Sequence, residues 1–381
     1  MPQGNLLIRG GTVVDPANNV FDKVDILVQN NKIVATQKDE ELKATQIIDA
    51  TGCYVFPGII DFHTHLFHDG TEIGVFPDTA LIPQGVTTAV DQGSTGIANY
   101  ESFHNTVITH SQVRIFAYLN VAPVGLSTLP RSLENVNPRL FDVDKAQMLL
   151  KKYEKELLGL KLRTSQEIVG ELGFAPLKKT IEMAEKIGCN VVVHTTNPPG
   201  TPEEIVNILR PGDIYTHMYQ DKGHCIVKEN GEIERSVRAA REKGVIFDTA
   251  DGREHYSFSA IRRALVSGFK PDVISTDLTR GNVFDKAVFG MPLIMTKYLN
   301  LGMSLTDVIA ACTATPAKIL GQEGLLGTLA PGAYADISIF RIKTIPLQLK
   351  DFKGEVLDCR QVFVPQTIVS NGKVAYTSLE A

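Results

Sequence analysis

Eight short apolar segments, most of them closing on a polar residue, are spaced along the middle of the chain and dictate most of what it can fold into. They fall at residues 59–65, 87–92, 114–120, 158–162, 190–195, 214–217, 245–249 and 273–276. Amphipathic stretches at 146–157, 177–187, 233–243 and 256–267 carry helical spacing between several of them. Strands and helices that alternate in this way build βαβ units, and the crossovers impose a parallel sheet. Eight repeats over roughly 270 residues have the size of a (β/α)8 TIM barrel, an α/β fold whose functional groups project from the C-terminal ends of its strands. Polar residues with chemistry to perform are therefore expected where each apolar run stops.

Both ends of the chain read differently. Residues 6–14, LLIRGGTVV, alternate like a strand, and 24–28 and 32–35 form a hairpin closed around Asn30 and Asn31, which tolerate the positive φ of the turn. Residues 335–340, 362–369 and 374–376 are further short β-like runs, the last two separated by an Asn-Gly turn. The simplest arrangement is a small β-sandwich drawn from residues 1–56 and 327–381, flanking a barrel of residues 57–326.

The first barrel segment ends Asp61-Phe62-His63-Thr64-His65, and residues two apart on a strand share a side. The fourth places Lys161 in an apolar run, the fifth ends in His194, the sixth in His217 and the eighth in Asp277. Any one of these fits a hydrogen-bonded polar group at a strand terminus. Together, on several strand ends of one barrel, they fit a metal centre. Two divalent cations about 3.5–4 Å apart need a bridging anion and several neutral or anionic donors. Imidazole and carboxylate suit zinc and similar first-row ions. A lysine ammonium cannot ligate a cation, but a lysine carboxylated by CO2 can. An apolar strand end favours the neutral amine that captures CO2.

On these residues the chain resembles the amidohydrolase superfamily, and the flanking segments LLIRGGTVVD, YVFPGIIDFHTH, QGVTTAVDQG and TPAKILG through GTLAPGAYADISIF match it too. HLFHDGTEIG, GLKLR and SGFKPDVISTDLTR are similar to a binuclear-metal subgroup often labelled dihydroorotase-like or adenine deaminase-like. The resemblance implies that His63, His65 and Asp277 hold one cation and His194 and His217 the other. It implies that carboxylated Lys161 and a hydroxide bridge the two, and that Asp277 also carries a proton from water to leaving group. The implied activity is metal-dependent hydrolysis of an amide or ester in a small anionic substrate, such as an N-acyl amino acid, an acylated hydroxy acid or a cyclic amide.

Substrate contacts are expected from His68, Arg163, Tyr219, His224 and Arg280, which lie near the ligand positions in sequence. Arg163 shares a strand side with Lys161 and has the fork that grips a carboxylate. Asp248 and Asp251 are candidates for orienting a ligand histidine. Dihydroorotases carry an arginine where this chain has Phe67, which argues against that activity. Nucleobase deamination of the adenine type, dihydroorotase activity and a non-enzymatic scaffold are the competing readings. The complete set of candidate ligands speaks against the scaffold.

Composition narrows the partners. A formal net charge of −5 without a basic stripe argues against nucleic acid and anionic membranes. No apolar run approaches membrane-spanning length, and the first residues lack a signal-peptide layout, so a cytoplasmic enzyme is expected, with a homo-oligomer left open. The five cysteines are scattered, without a CxxC pair, which argues against a disulfide framework and a thiolate zinc site.

Overall fold

The computed structural model describes residues 3–37, 42–283 and 289–381. Its centre is a parallel sheet of seven strands in sequence order: Ile59–Thr64, Val86–Gln92, Arg114–Asn120, Leu157–Arg163, Asn190–His194, Ile214–Thr216 and Ile246–Asp248. The eighth segment forms no continuous strand. It closes the barrel through isolated parallel pairings, Val273 to Asp248 on one side and Leu278 to Thr64 on the other.

Alternation places the two faces of the sheet. Ile60, Phe62, Val90, Tyr118, Val192 and Ile214 meet in an interior cluster. Their sequence neighbours Ile59, Val191, Val193 and Tyr215 join a second cluster with Leu177, Ile205, Val237 and Ile261 from the surrounding helices. Pairing between the first two strands slips between Asp61 and Thr64. Such an irregularity re-aims side chains, and here it turns His63 and His65 toward the barrel axis just past inward-facing Phe62.

The helices carry local start and stop signals. Ala175–Ile187 has Pro176 in its first turn and Gly188, at φ 83°, as its stop. Pro202–Ile208 is preceded by Thr201, whose hydroxyl and backbone exchange hydrogen bonds with Glu204 in a capping box.

The termini build two sheets. Four strands, Lys32–Gln37, Asp25–Gln29, Gln3–Arg9 and Lys43–Asp49, form one. Six, Lys373–Thr377, Val356–Ser370, Ile337–Lys350, Tyr54–Pro57, Thr12–Asp15 and Val20–Lys23, form the other. Leu6, Ile8, Val28, Val55, Ile337, Ile339 and Val369 pack between them, giving a TIM barrel with a small β domain. The C-terminal runs at 335–340 and 362–369 fall in one long hairpin, Ile337–Lys350 paired with Val356–Ser370, and the run at 374–376 lies in the strand that follows it. The hairpin tip reaches the barrel: Phe258 N donates to Asp351 at 2.9 Å, Lys353 pairs with Asp221 at 2.6 Å, and Arg262 pairs with Glu355. Among the described residues no helix is long and apolar enough to cross a membrane, and all five cysteines are free thiols.

Candidate metal centre

The C-terminal ends of the strands converge on a buried group of imidazoles around one carboxylate. Asp277 Oδ1 lies 3.2 Å from His65 Nε2 and 3.6 Å from His63 Nε2, and Oδ2 lies 3.4 Å from His255 Nε2. Lys161 Nζ is 3.5 Å from His63 Nε2, and the His217 ring is 5.2 Å from the His63 ring and 4.2 Å from the His194 ring. His217, Ala250 and Asp277 sit at φ 63°, 39° and 56°. That left-handed conformation costs non-glycine residues about 1–2 kcal/mol each, and such strain clusters at functional sites. Backbone bonds from Asp277 N to His63 O at 2.8 Å and from His65 N to Leu278 O at 3.0 Å stitch the first and eighth strand ends together.

The rings of His63, His65 and His217 are held from behind. His63 Nδ1 lies 3.1 Å from Thr216 Oγ1 and 3.3 Å from Asp248 Oδ2. His65 Nδ1 is 3.1 Å from Ser94 Oγ, and His217 Nδ1 is 2.6 Å from the Ala250 carbonyl. A carbonyl only accepts, so His217 Nδ1 carries the proton and Nε2 presents a lone pair. That Nε2 is buried without a hydrogen-bond partner. Burial, reinforced by neighbouring cationic groups, holds His63, His194 and His217 well below the usual histidine pKa, in the neutral form that ligates metals. Burial pushes Asp277 upward, but the hydrogen bond with His65 and the surrounding imidazoles outweigh it, and the carboxyl titrates below its ordinary value.

Lys161 is 1% exposed, and among the described residues no carboxylate lies within ion-pair distance of its Nζ. Burial, opposed by the carboxylates of Asp277 and Asp248, lowers its pKa from 10.5 to about 7. Gly93 makes room for it: a Cβ there would stand 2.8 Å from Lys161 Cβ and Cγ. An orphaned imidazole nitrogen, neutral rings with anchored Nδ1 atoms and a buried lysine without an anion form a donor set that fits two divalent cations and a carbamate. His63, His65 and Asp277 form one group of potential ligand atoms, all within 4.8 Å of one another, and His217, His255 and Asp277 form another.

Comparison with known proteins identifies the family. A sequence profile of the amidohydrolase family matches residues 54–375. The chain belongs to the amidohydrolase family. This amidohydrolase is 31% identical to a deacetylase of Agrobacterium fabrum over 347 residues, which are 91% of this chain and 85% of that protein. It is similar to the solved structure of a dihydroorotase, with a TM-score of 0.88, 30% identity and 98% coverage of both chains. It is also similar to that of an adenine deaminase, with a TM-score of 0.90, 26% identity, and coverage of 98% of this chain and 100% of that one. As a member of this family the chain is a hydrolase that acts on carbon–nitrogen bonds.

Around the centre, the amidohydrolase distributes the residues singled out in the sequence unevenly. Arg163 follows Lys161 on the same strand, and its Nη1 donates to both oxygens of buried Glu134, at 3.0 and 3.2 Å. His68 stacks on Phe76 with ring centroids 3.8 Å apart, and it shares with Arg280 the wall of a separate apolar pocket of about 640 Å³ that also includes Pro292 and Pro365. Tyr219 lies in the core: it is fully buried, and its hydroxyl donates to the Phe269 carbonyl at 2.9 Å. His224 is exposed, and its backbone carbonyl accepts from Gln220 Nε2. Asp248 stands behind His63, whereas Asp251 turns to Lys297 at 2.5 Å and to the Tyr298 hydroxyl at 2.9 Å instead of to a site histidine. Phe67 is buried against Phe103. His255 was not among the sequence candidates, because it follows the seventh strand within a polar loop and no apolar run leads into it.

Proposed function

We propose that this amidohydrolase is a two-metal deacylase that releases the acyl group from a small anionic amino or hydroxy acid. The observation that carries the reading is Asp277, whose two oxygens lie 3.2–3.6 Å from three separate imidazoles, beside buried Lys161, which has no carboxylate within ion-pair distance among the described residues. His63, His65 and Asp277 would hold one cation and His194 and His217 the other, with zinc the ion that the nitrogen-rich donor set suits. Lys161, carboxylated by CO2, would supply the bridging anion. The bound ions polarise the scissile carbonyl and lower the pKa of water.

The remaining work belongs to side chains of this chain. Asp277, held ionised at neutral pH, accepts the proton of the attacking water and delivers it to the departing nitrogen or oxygen. Asp248 and Thr216 hold His63 in the tautomer whose Nε2 faces the centre. Arg163 commits Nη1 to Glu134 and turns the rest of its guanidinium to the substrate carboxylate. The resemblance to the deacetylase supports acyl release, and Phe67 in place of an arginine weighs against dihydroorotase activity.

The test is a panel of N-acyl D- and L-amino acids and acylated hydroxy acids, assayed for acid release with zinc and bicarbonate present. Adenine, assayed for ammonia, and dihydroorotate, assayed for ring opening, complete the panel. Release of acid from one acylated series is the expected result. Turnover of adenine or dihydroorotate with every acylated compound inert would overturn the reading.

A further inference from the structure

His255 reaches the centre from a loop, with its side chain 22% exposed against 2% for His63. Its Nδ1 lies 2.8 Å from Thr196 Oγ1, and its backbone N donates to Asp251 O at 3.1 Å. Its ring centroid is 4.2 Å from that of His217 and 5.2 Å from that of His194. With Nδ1 engaged, Nε2 is the atom turned inward, 3.4 Å from Asp277 Oδ2.

That separation exceeds the length, about 2.9 Å, at which an N–H···O hydrogen bond peaks. Two donors on one tetrahedral cation, each bonded at about 2.0–2.1 Å, stand about 3.3 Å apart. The Asp277 contacts to His65 and His63, at 3.2 and 3.6 Å, bracket this value on the other carboxylate oxygen. Asp277 therefore faces two imidazole groups with two different oxygens. The backbone makes room for this: Gly252, at φ 51°, would place a Cβ 2.8 Å from the His255 ring and 3.1 Å from Asp277 Oδ2.

We propose that His255 is a ligand of the second cation, together with His194 and His217, which leaves Asp277 Oδ2 free for the proton it carries. This rests on the two-metal reading above and adds to it a nitrogen donor from the loop after the seventh strand. A second position with this extra donor is less dependent on the Lys161 carbamate than one held by His194 and His217 alone.

The test uses the full-length protein stripped of metal, titrated with Zn2+ against a chromophoric chelator and, separately, with Co2+ while its visible absorption is followed. His255→Asn removes the donor, Thr196→Val removes the group that orients it, and His104→Asn, in the helix Tyr100–Thr106, is the control. Wild type and control should bind two equivalents. His255→Asn should hold the first and weaken the second by about tenfold or more, with altered Co2+ absorption, and Thr196→Val should weaken the second by less. Two equivalents in His255→Asn with both affinities within about twofold of wild type would overturn the assignment. If His255→Asn does not melt cooperatively, Thr196→Val decides, and an unchanged second affinity there also overturns it. Fewer than two equivalents in wild type would instead defeat the two-metal reading on which it rests.

Discussion

His63 Nδ1 lies 3.3 Å from Asp248 Oδ2, although the two residues are 185 positions apart in sequence, on the first and seventh barrel strands. The carboxylate also accepts from Thr216 Oγ1 at 2.7 Å and Ser275 Oγ at 2.6 Å. Three donors thus converge on it. In Asp248→Asn an amide NH2 replaces one oxygen and faces a donor, so the His63 ring loses its orientation. Affinity for the first equivalent of zinc should fall about 10–100-fold. Titration of the stripped protein against a chelator checks this, and an affinity equal to wild type would show that Asp248 does not set the ring.

Lys161 connects carbon dioxide, pH and metal loading. Its pKa is lowered from 10.5 to about 7, so the neutral amine that forms a carbamate predominates above about pH 7. At constant dissolved CO2, activity recovered by the stripped protein on adding zinc should rise between pH 6 and pH 8, and bicarbonate should accelerate it. Lys161→Met should abolish both effects. The unfolded lysine binds a proton up to its ordinary pKa, while the folded one releases it near 7. The metal-free wild type, kept free of CO2, should therefore gain stability relative to Lys161→Met as pH rises from 7 toward 10. Melting curves across that range give the sign.

Strand ends were legible in the sequence because an apolar run has to stop somewhere, and His63, His65, Lys161, His194, His217 and Asp277 mark the stops. The eighth segment was legible by pattern rather than by conformation: Val273 and Leu278 pair with neighbours, and Asp277 turns left-handed at φ 56°. The long C-terminal hairpin does not show as one unit in the sequence, for a physical reason. Pro346 and Pro365 lie within its strands, and register shifts at Ile339/Phe340 and Thr344/Leu347 interrupt the alternation. The burial of Tyr219 is not legible, because an aromatic residue just after a candidate ligand strand looks the same in sequence whether it faces a pocket or the core. His255 carries no local signal at all. Only the folded loop brings it to Asp277.

That loop is tied down by a buried ion pair. Asp251 and Lys297 are 2.5 Å apart with side chains 0% and 2% exposed, Tyr298 donates to the same carboxylate, and the ammonium lies 3.5 Å above the Tyr256 ring. Burial pushes Asp251 up and Lys297 down, and each charge opposes the shift of the other. Lys297→Met leaves a buried carboxyl without its counter-ion and should cost about 3–5 kcal/mol in urea unfolding. The double variant Asp251→Asn with Lys297→Met should recover most of that loss. Additive losses in the double variant would show that the two groups are not coupled.

One residue before Arg253 in the same loop, Gly252 permits a test that separates geometry from stability. Alanine at φ 51° costs about 1 kcal/mol, a modest change for a domain of this size. Its Cβ, however, would stand 2.8 Å from His255 Cδ2 and 3.1 Å from Asp277 Oδ2, so one or both side chains must shift. Asp277 is the proposed proton carrier, and displacement of a reacting group by about 1 Å costs about 10²-fold in rate. Gly252→Ala should therefore melt within a few degrees of wild type while kcat falls about 10²-fold, and zinc binding should weaken at the second equivalent more than at the first. Melting curves, steady-state kinetics and zinc titration on one preparation read all three quantities. Full activity in Gly252→Ala would mean that His255 and Asp277 tolerate the intrusion and that the loop does not set the geometry of the centre.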